Sequence, residues 1–168
     1  MIGIFGGTFD PVHNGHIHAA LSVSEALGLT KVHMMLSARP GHRAPAQTLT
    51  THRWEMLKLA CAHYGALQAD DREVCREGIS FTFDTLQEIA REDTAAKNRL
   101  FPAWILGQDS YATLPAWHRW EEMLDLCNLV VLDRPGQLTP EPDALLQFAM
   151  PKQCEKINPS KAGQMLRL

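Results

Sequence analysis

The chain has 168 residues, of which 45% are apolar and 21% are charged, and its net charge is −3. This composition is that of one globular domain large enough to bury a core. The weak negative charge gives no reason to expect nucleic acid as a partner. No apolar run approaches a membrane span, and no secretory leader precedes the first apolar run. We therefore expect a single cytoplasmic domain over residues 1–168, without a membrane partner.

Alternating apolar patterns predict strands and helices in turn along the chain. Strands are predicted at residues 1–6, 31–37, 66–70, 102–108, 128–133 and near 163–168. Helices are predicted near residues 15–28, 50–63, 82–93, 117–126 and 141–149. Several strands are apolar on both faces, which is typical of a parallel sheet covered by helices. The predicted fold is α/β: a Rossmann-like open, mostly parallel sheet with helices on both faces.

The segment GGTFDPVHNGH, residues 6–16, joins the first predicted strand to the first predicted helix. Glycine lets the backbone approach a ligand closely, and free amides at a helix N-terminus attract anions. The segment therefore predicts a phosphate site of a nucleotide. The backbone groups expected to bind phosphate belong to Gly6, Gly7, Thr8 and Phe9, and the alternative for Phe9 is core packing at the end of the strand.

His13 and His16 lie at the same predicted helix entry, where both could donate hydrogen bonds to phosphate oxygens. The alternatives are that they cap the helix or are solvated, or that they bind zinc. Asp10 and His18 are the only further ligand types nearby, so we predict no metal site here.

The four cysteines, Cys61, Cys75, Cys127 and Cys154, are far apart and form no Cys-x-x-Cys pair. Reduced, buried thiols are therefore expected, in preference to a zinc site or disulfides.

A second candidate site follows the strand predicted at residues 102–108. Gly107 permits close approach, and the Asp109 carboxylate could accept hydrogen bonds from ribose hydroxyls. Alternatively, Asp109 and Ser110 could serve only as caps of the next helix. Because open parallel sheets bind ligands beyond the carboxyl ends of their strands, both motifs are expected to face one crevice.

These motifs resemble those of a known family. His13-Asn14-Gly15-His16 is similar to the (H/T)xGH signature of the nucleotidyltransferase superfamily, and the longer GGTFDPVHNGH resembles that of bacterial nicotinate-nucleotide adenylyltransferases. Further similar segments are Ile105–Ser110, Leu114–Trp120 and Arg134–Gly136, so the resemblance covers residues 3–136. It implies an enzyme of NAD biosynthesis that transfers the adenylyl group of ATP to nicotinate mononucleotide. Mg²⁺ would accompany ATP as the cofactor.

The resemblance also implies roles for residues that would bind the mononucleotide. Trp117 would stack on the pyridine ring, and the backbone of Phe81 and Thr82 would meet the nicotinate carboxylate. The alternative for Thr82 is a helix cap. Trp117 and Trp120 are expected three residues apart on one helix, and core packing is the preferred interpretation for Trp120.

Three arginines are the basic candidates for substrate phosphates: Arg43, Arg53 and Arg134. Arg43 ends a stretch similar to the family's P-P-H-(K/R) loop, although Gly41 replaces the second proline and the expected preceding asparagine is absent. Arg134 begins the RPG turn. The alternative for any single arginine is a solvated surface position.

The superfamily's second signature, an ISSTxIR-like loop, is not found within these residues. We expect it in a C-terminal segment that the 168 residues lack. Two alternatives to the nicotinate enzyme stay open: a phosphopantetheine-type adenylyltransferase, and a non-catalytic nucleotide-binding domain. The sequence does not determine whether the acid or the amide form of the mononucleotide is preferred, nor the oligomeric state.

Overall fold

The structure is a computed structural model that describes residues 1–39, 46–92, 100–133, 140–149 and 152–168. The chain forms two compact units, residues 1–81 and residues 82–168. Both units alternate parallel strands with helices, which confirms the predicted α/β class.

The first unit contains three parallel strands in the spatial order β3-β2-β1. Its elements are β1 (Gly3–Gly7), α1 (Asn14–Leu27), β2 (Val32–Leu36), α2 (Thr50–Ala62), β3 (Leu67–Asp70) and the short α3 (Arg72–Cys75). In the register of the sheet, Gly3 lies beside Val32 and Val32 beside Leu67. Apolar side chains of β1 and β2 are buried on both faces, as expected for a covered parallel sheet. The segment GGTFDPVHNGH therefore starts at the carboxyl end of a buried strand.

The second unit contains three more parallel strands, in the order β4-β5-β6. Its elements are α4 (Thr82–Glu92), β4 (Ala103–Gly107), α5 (Gln108–Ala112), β5 (Asn128–Leu132), α6 (Asp143–Ala149) and β6 (Met165–Arg167). Two 3₁₀ helices, Leu114–Ala116 and Trp120–Asp125, lie between α5 and β5. In register, Ala103 lies beside Asn128 and Leu129 beside Met165.

All six predicted strands are confirmed, and α1 ends at Gly28, whose φ of 58° is the left-handed conformation that glycine favours. The helix predicted at residues 117–126 is wrong. The backbone is extended at Trp117 and left-handed at Arg119, with φ 53°, so only the 3₁₀ helix Trp120–Asp125 forms there. The short helices α3 and α5 are not predicted by the sequence pattern.

All four cysteines are free. Cys61 and Cys127 are buried as expected, whereas Cys154 is half-buried and Cys75 is exposed. Burial raises the pKa of the Cys61 thiol to about 11. Within the described residues, every helix is too short or too polar to cross a bilayer.

Candidate functional site

The loop after β1 is anchored by the Phe9 ring. Phe9 is 2% exposed and meets the Phe5 ring edge to face, with 6.1 Å between the ring centroids. A Cβ atom on Gly7 would lie 2.8 Å from Phe9 Cε1, so the ring packs directly against the Gly7 backbone. The Phe9 backbone has a φ of 45°, which places it in the left-handed region. The loop is thus folded back over its own glycine.

His13 and His16 form a stacked pair at the start of α1. Their ring centroids lie 3.8 Å apart with 30° between the planes, and the Phe9 ring meets His16 edge to face at 5.0 Å. The backbone N–H of His13 donates to Nδ1 of His16 at 3.4 Å. With Nδ1 as the acceptor, the proton of a neutral His16 ring is on Nε2, which can then donate to a ligand. The two predicted histidines are therefore brought together.

Several backbone amides near this pair have no acceptor in the described part of the chain. The N–H groups of Asn14 and Gly15 belong to the first turn of α1, where no intrahelical acceptor exists. The Phe9 N–H also has no hydrogen bond there. Free amides at a helix N-terminus attract anions, so the local chemistry suits phosphate.

Asp10 links this loop to the residues that precede α2. Its Oδ2 accepts the backbone N–H groups of Gln47 at 2.8 Å and Thr48 at 3.3 Å. The hydrogen bond with the Thr48 side chain is the main reason that the pKa of Asp10 lies below its usual value. Because one oxygen is already engaged by two amides, Asp10 acts as a brace for the loop.

Arg53 is buried, although the sequence made it a candidate ligand for substrate phosphates. It is 1% exposed, and its guanidinium donates to four backbone carbonyls and to the Thr50 hydroxyl. The periodicity of α2 indicates that Arg53 is buried, because Arg53, Leu57 and Cys61 are spaced four residues apart and share one helix face. Desolvation lowers the pKa of Arg53 from its ordinary value, while the charge of Asp10 raises it.

In the second unit, Gly107 and Asp109 are in contact at the end of β4. Gly107 is the N-cap residue of α5, and a Cβ atom there would lie 2.8 Å from Oδ1 of Asp109. The exposed Asp109 carboxylate therefore folds back over a glycine that leaves room for it. Gly107 occupies the N-cap position and Asp109 lies in the first turn of α5, so the alternative prediction that Asp109 and Ser110 cap this helix is not found.

Trp117 lies between the two 3₁₀ helices and is half-buried. Its indole Nε1 donates to the Thr113 hydroxyl at 3.4 Å, and that hydroxyl donates to the Ser110 carbonyl at 2.9 Å. The indole is thereby linked to α5, the helix that carries Asp109. Trp120 is also half-buried, so its predicted place in the core is not found.

Arg119, which no sequence motif singles out, packs at the start of α4. Its guanidinium carbon lies 3.8 Å from the centroid of the Phe83 ring, and it forms an ion pair with Glu122. Phe83 is 3% exposed and directly follows Thr82, the first residue of α4. The left-handed backbone at Arg119 allows this stacking, and a sequence pattern that favours a helix gives no signal for it.

The segment before α4 is held by Arg39. Its Nε donates to the Gly78 carbonyl at 2.7 Å, its guanidinium also reaches the Arg76 carbonyl, and its own carbonyl accepts the Ser80 N–H at 2.9 Å. Phe81 follows this turn and is half-buried. The backbone expected to meet a carboxylate is thus preceded by a firmly anchored turn.

Two predicted site residues, Arg43 and Arg134, lie outside the described residues. In the described ranges, no group of three or more His, Cys, Asp or Glu side chains could hold a metal ion.

Comparisons with known proteins identify the family. The family model described as Cytidylyltransferase-like matches residues 4–161. The chain belongs to this family. The matched residues include GGTFDPVHNGH and Ile105–Ser110, two of the segments that resemble nucleotidyltransferase motifs.

Two curated relatives share nearly half of the aligned residues. "Probable nicotinate-nucleotide adenylyltransferase" of Pseudomonas fluorescens Pf-5 is 45% identical over 144 residues, which are 86% of this chain and 66% of the relative. The protein of the same name from Pseudomonas entomophila is 44% identical, over 86% of this chain and 64% of the relative. The chain thus spans about two thirds of the length of the curated relatives that it matches. These names agree with the resemblance seen in the motifs.

A solved structure gives the same fold. "Plasmodium falciparum nicotinic acid mononucleotide adenylyltransferase complexed with NaAD" has a TM-score of 0.71 and 15% sequence identity, over 99% of this chain and 73% of that chain. At this identity the similarity concerns the fold alone, and it confirms the predicted Rossmann-like class.

Proposed function

We propose that this protein transfers the adenylyl group of MgATP to nicotinate mononucleotide, forming nicotinate adenine dinucleotide and pyrophosphate. The observation that carries the proposal is the stacked pair of His13 and His16 beside the Phe9 amide, which has no acceptor among the residues that the structure describes. The names of the curated relatives favour this reaction over transfer to phosphopantetheine.

In this reaction, a phosphate oxygen of the mononucleotide attacks the α-phosphorus of ATP. A new P–O bond forms as the bond from the α-phosphorus to the β-phosphate oxygen breaks, and the electron pair leaves with pyrophosphate. A phosphate monoester is anionic at neutral pH, so no side chain has to remove a proton. The protein must instead align two anions and stabilise charge on the transferring group.

His16 is the proposed donor to the α-phosphate. Its Nδ1 accepts the His13 amide, so in the neutral ring Nε2 carries the proton that is proposed to be donated to a phosphate oxygen. His13 stacks on it and restrains the direction of that donor. The backbone of Gly6, Gly7, Thr8 and Phe9 is proposed to bind the remaining phosphate oxygens.

Asp109 is proposed to accept hydrogen bonds from the ribose of ATP. A carboxylate accepts hydrogen bonds only, which suits vicinal hydroxyl donors. Gly107 contributes by leaving space for that carboxylate.

Trp117 is proposed to stack on the pyridine ring of the mononucleotide, and Phe81 and Thr82 to bind its carboxylate through backbone N–H groups. A half-buried indole, tied to Thr113 at its Nε1, presents a restrained flat face. Arg43 for the ATP phosphates and Arg134 for the mononucleotide stay predictions from the sequence.

Mg²⁺ is proposed to enter with ATP as part of the substrate. It keeps most of its water ligands and prefers phosphate oxygens, so it does not need a dedicated protein cage. The histidine and amide donors would then act on the phosphate oxygens that the ion leaves free.

The test is pyrophosphate release from MgATP with three acceptors: nicotinate mononucleotide, its amide form and phosphopantetheine. We expect release with the pyridine nucleotides and none with phosphopantetheine. A preference for phosphopantetheine would replace the proposed substrate. Binding of MgATP without release for any acceptor would support the non-catalytic alternative.

A further inference from the structure

Arg53 is a buried cation that faces the backbone of the loop after β1. Nη1 donates to the carbonyls of Thr8 at 2.6 Å and Ser37 at 3.1 Å. Nη2 donates to the Ala38 carbonyl at 3.3 Å and the Thr50 hydroxyl at 3.0 Å. One side chain therefore joins the loop after β1 to the end of β2 and to the first turn of α2.

The contact with Thr8 fixes the direction of the next amide. In a trans peptide the C=O of one residue and the N–H of the next point in opposite directions across one rigid plane. The Thr8 carbonyl points at the Arg53 guanidinium, so the Phe9 N–H points away from it. That N–H has no acceptor in the described part of the chain.

We propose that Arg53 is a positioning residue that holds the Thr8–Phe9 peptide plane so that the Phe9 amide is presented to a phosphate of the nucleotide. This inference rests on the proposed function, since it assigns the amide a phosphate ligand. Arg53 acts through the backbone and does not touch the substrate.

The far side of the loop is braced through the same guanidinium. Arg53 Nε donates to the Thr48 carbonyl at 3.1 Å, and Asp10 accepts the Thr48 N–H on the other side of that residue. Asp10 directly follows Phe9, so Thr48 connects the Arg53 guanidinium to the residue after Phe9. The planar guanidinium is needed because it carries five N–H donors in a fixed fork, whereas a lysine ammonium has three on a single nitrogen.

The test compares Arg53→Lys with Leu57→Ala. Leu57 is fully buried one turn further along α2 and accepts none of the hydrogen bonds that the Arg53 guanidinium donates, so its truncation serves as a control for general destabilisation. For each variant we would measure the melting temperature, the ¹H–¹⁵N resonance of the Phe9 amide, and binding of inorganic pyrophosphate. The Phe9 amide reports the peptide plane directly, and a general loss of stability does not move it.

We expect Arg53→Lys to shift the Phe9 resonance and weaken pyrophosphate binding about tenfold, while Leu57→Ala lowers only the melting temperature. An unchanged Phe9 resonance and unchanged affinity in a folded Arg53→Lys protein would overturn the inference. If Arg53→Lys does not fold, Thr50→Val removes one partner of Nη2 and is held to the same two readouts. Pyrophosphate that fails to bind the unaltered chain would count against the proposed function, whereas the Phe9 resonance would still test how Arg53 sets the peptide plane.

Discussion

The imidazole rings of His13 and His16 stack at 3.8 Å, and the His13 amide donates to the His16 ring. A Cβ atom on Gly15 would lie 3.0 Å from Cε1 and Nδ1 of His13, so the glycine between them leaves room for the stack. The spacing of three residues brings the two rings together on one side of the helix, and glycine at position 15 avoids a clash with the His13 ring.

Replacing His16 by Asn should lower kcat about 100- to 1,000-fold, since one preorganised donor to a developing charge is lost. The KM for ATP should change much less, because the contact is expected to strengthen in the transition state. The measurement is steady-state pyrophosphate release. His18→Asn is the control, because His18 is exposed on the same helix. Equal kcat values for the two variants would exclude His16 as the donor.

Replacing Gly107 by Ala should raise the KM for ATP about tenfold and leave the melting temperature nearly unchanged. The new Cβ would come within 2.8 Å of Asp109 Oδ1 and push the carboxylate out of position. Gly65→Ala is the matched control, since its Cβ would meet nothing within 4 Å.

The same prediction can be checked by a double-mutant cycle. If Gly107→Ala acts only through Asp109, its effect should disappear in an Asp109→Asn background, because the two changes remove the same contact. Additive effects on the KM for ATP would show instead that Gly107 meets the nucleotide by itself.

Much of the fold could be predicted because its strands are continuous apolar runs and its main helices have clear limits. The region around Trp117 could not. Glu121, Glu122 and Met123 favour a helix locally, but Arg119 adopts a left-handed backbone and stacks on Phe83, 36 positions earlier in the chain. A window of neighbouring residues carries no information about such a contact.

Part of the candidate site could likewise be predicted from the sequence, and part could not. The glycine-rich loop, the two histidines and Asp109 stand out in the sequence because their residue types and spacing are typical of a nucleotide-binding site. Arg53 was misassigned because an arginine beside a phosphate motif suggests an anion ligand. Its position four residues before Leu57, on the apolar face of α2, indicates instead that Arg53 is buried.

Replacing Trp117 by Ala should raise the KM for the mononucleotide about tenfold or more, since a stacked aromatic contributes about 1–3 kcal/mol per base. Trp117→Phe should retain most of the affinity, because it keeps a flat face. Trp54→Ala is the control: this half-buried tryptophan of α2 packs near Lys58, with Nζ 5.7 Å from the ring centroid. A KM for the mononucleotide that is equally affected by both alanine variants would point to a general loss of structure.

Replacing Asp70 by Asn should lower the free energy of unfolding by about 2 kcal/mol, since charged hydrogen bonds are lost in a buried place. Asp70 is 8% exposed and accepts hydrogen bonds from His33 at 3.0 Å and Arg72 at 2.9 Å. Burial alone would raise the pKa of Asp70, but these bonds outweigh it and hold the pKa well below its ordinary value. Glu55→Gln is the control, because the exposed Glu55–Lys58 pair should contribute little.

The sign of the pH dependence follows from that depressed pKa. The stabilisation by Asp70 should be complete above the unfolded-state value of about 3.9 and should be lost as the pH falls below it. Melting temperatures of the unaltered chain and Asp70→Asn should therefore differ by a constant amount from pH 8 to pH 5 and converge in stronger acid. A difference that is as large at about pH 2 as at pH 5 would mean that the loss comes from packing and not from the charge, because stabilisation by a carboxylate with a depressed pKa must shrink once the pH falls below the unfolded-state value.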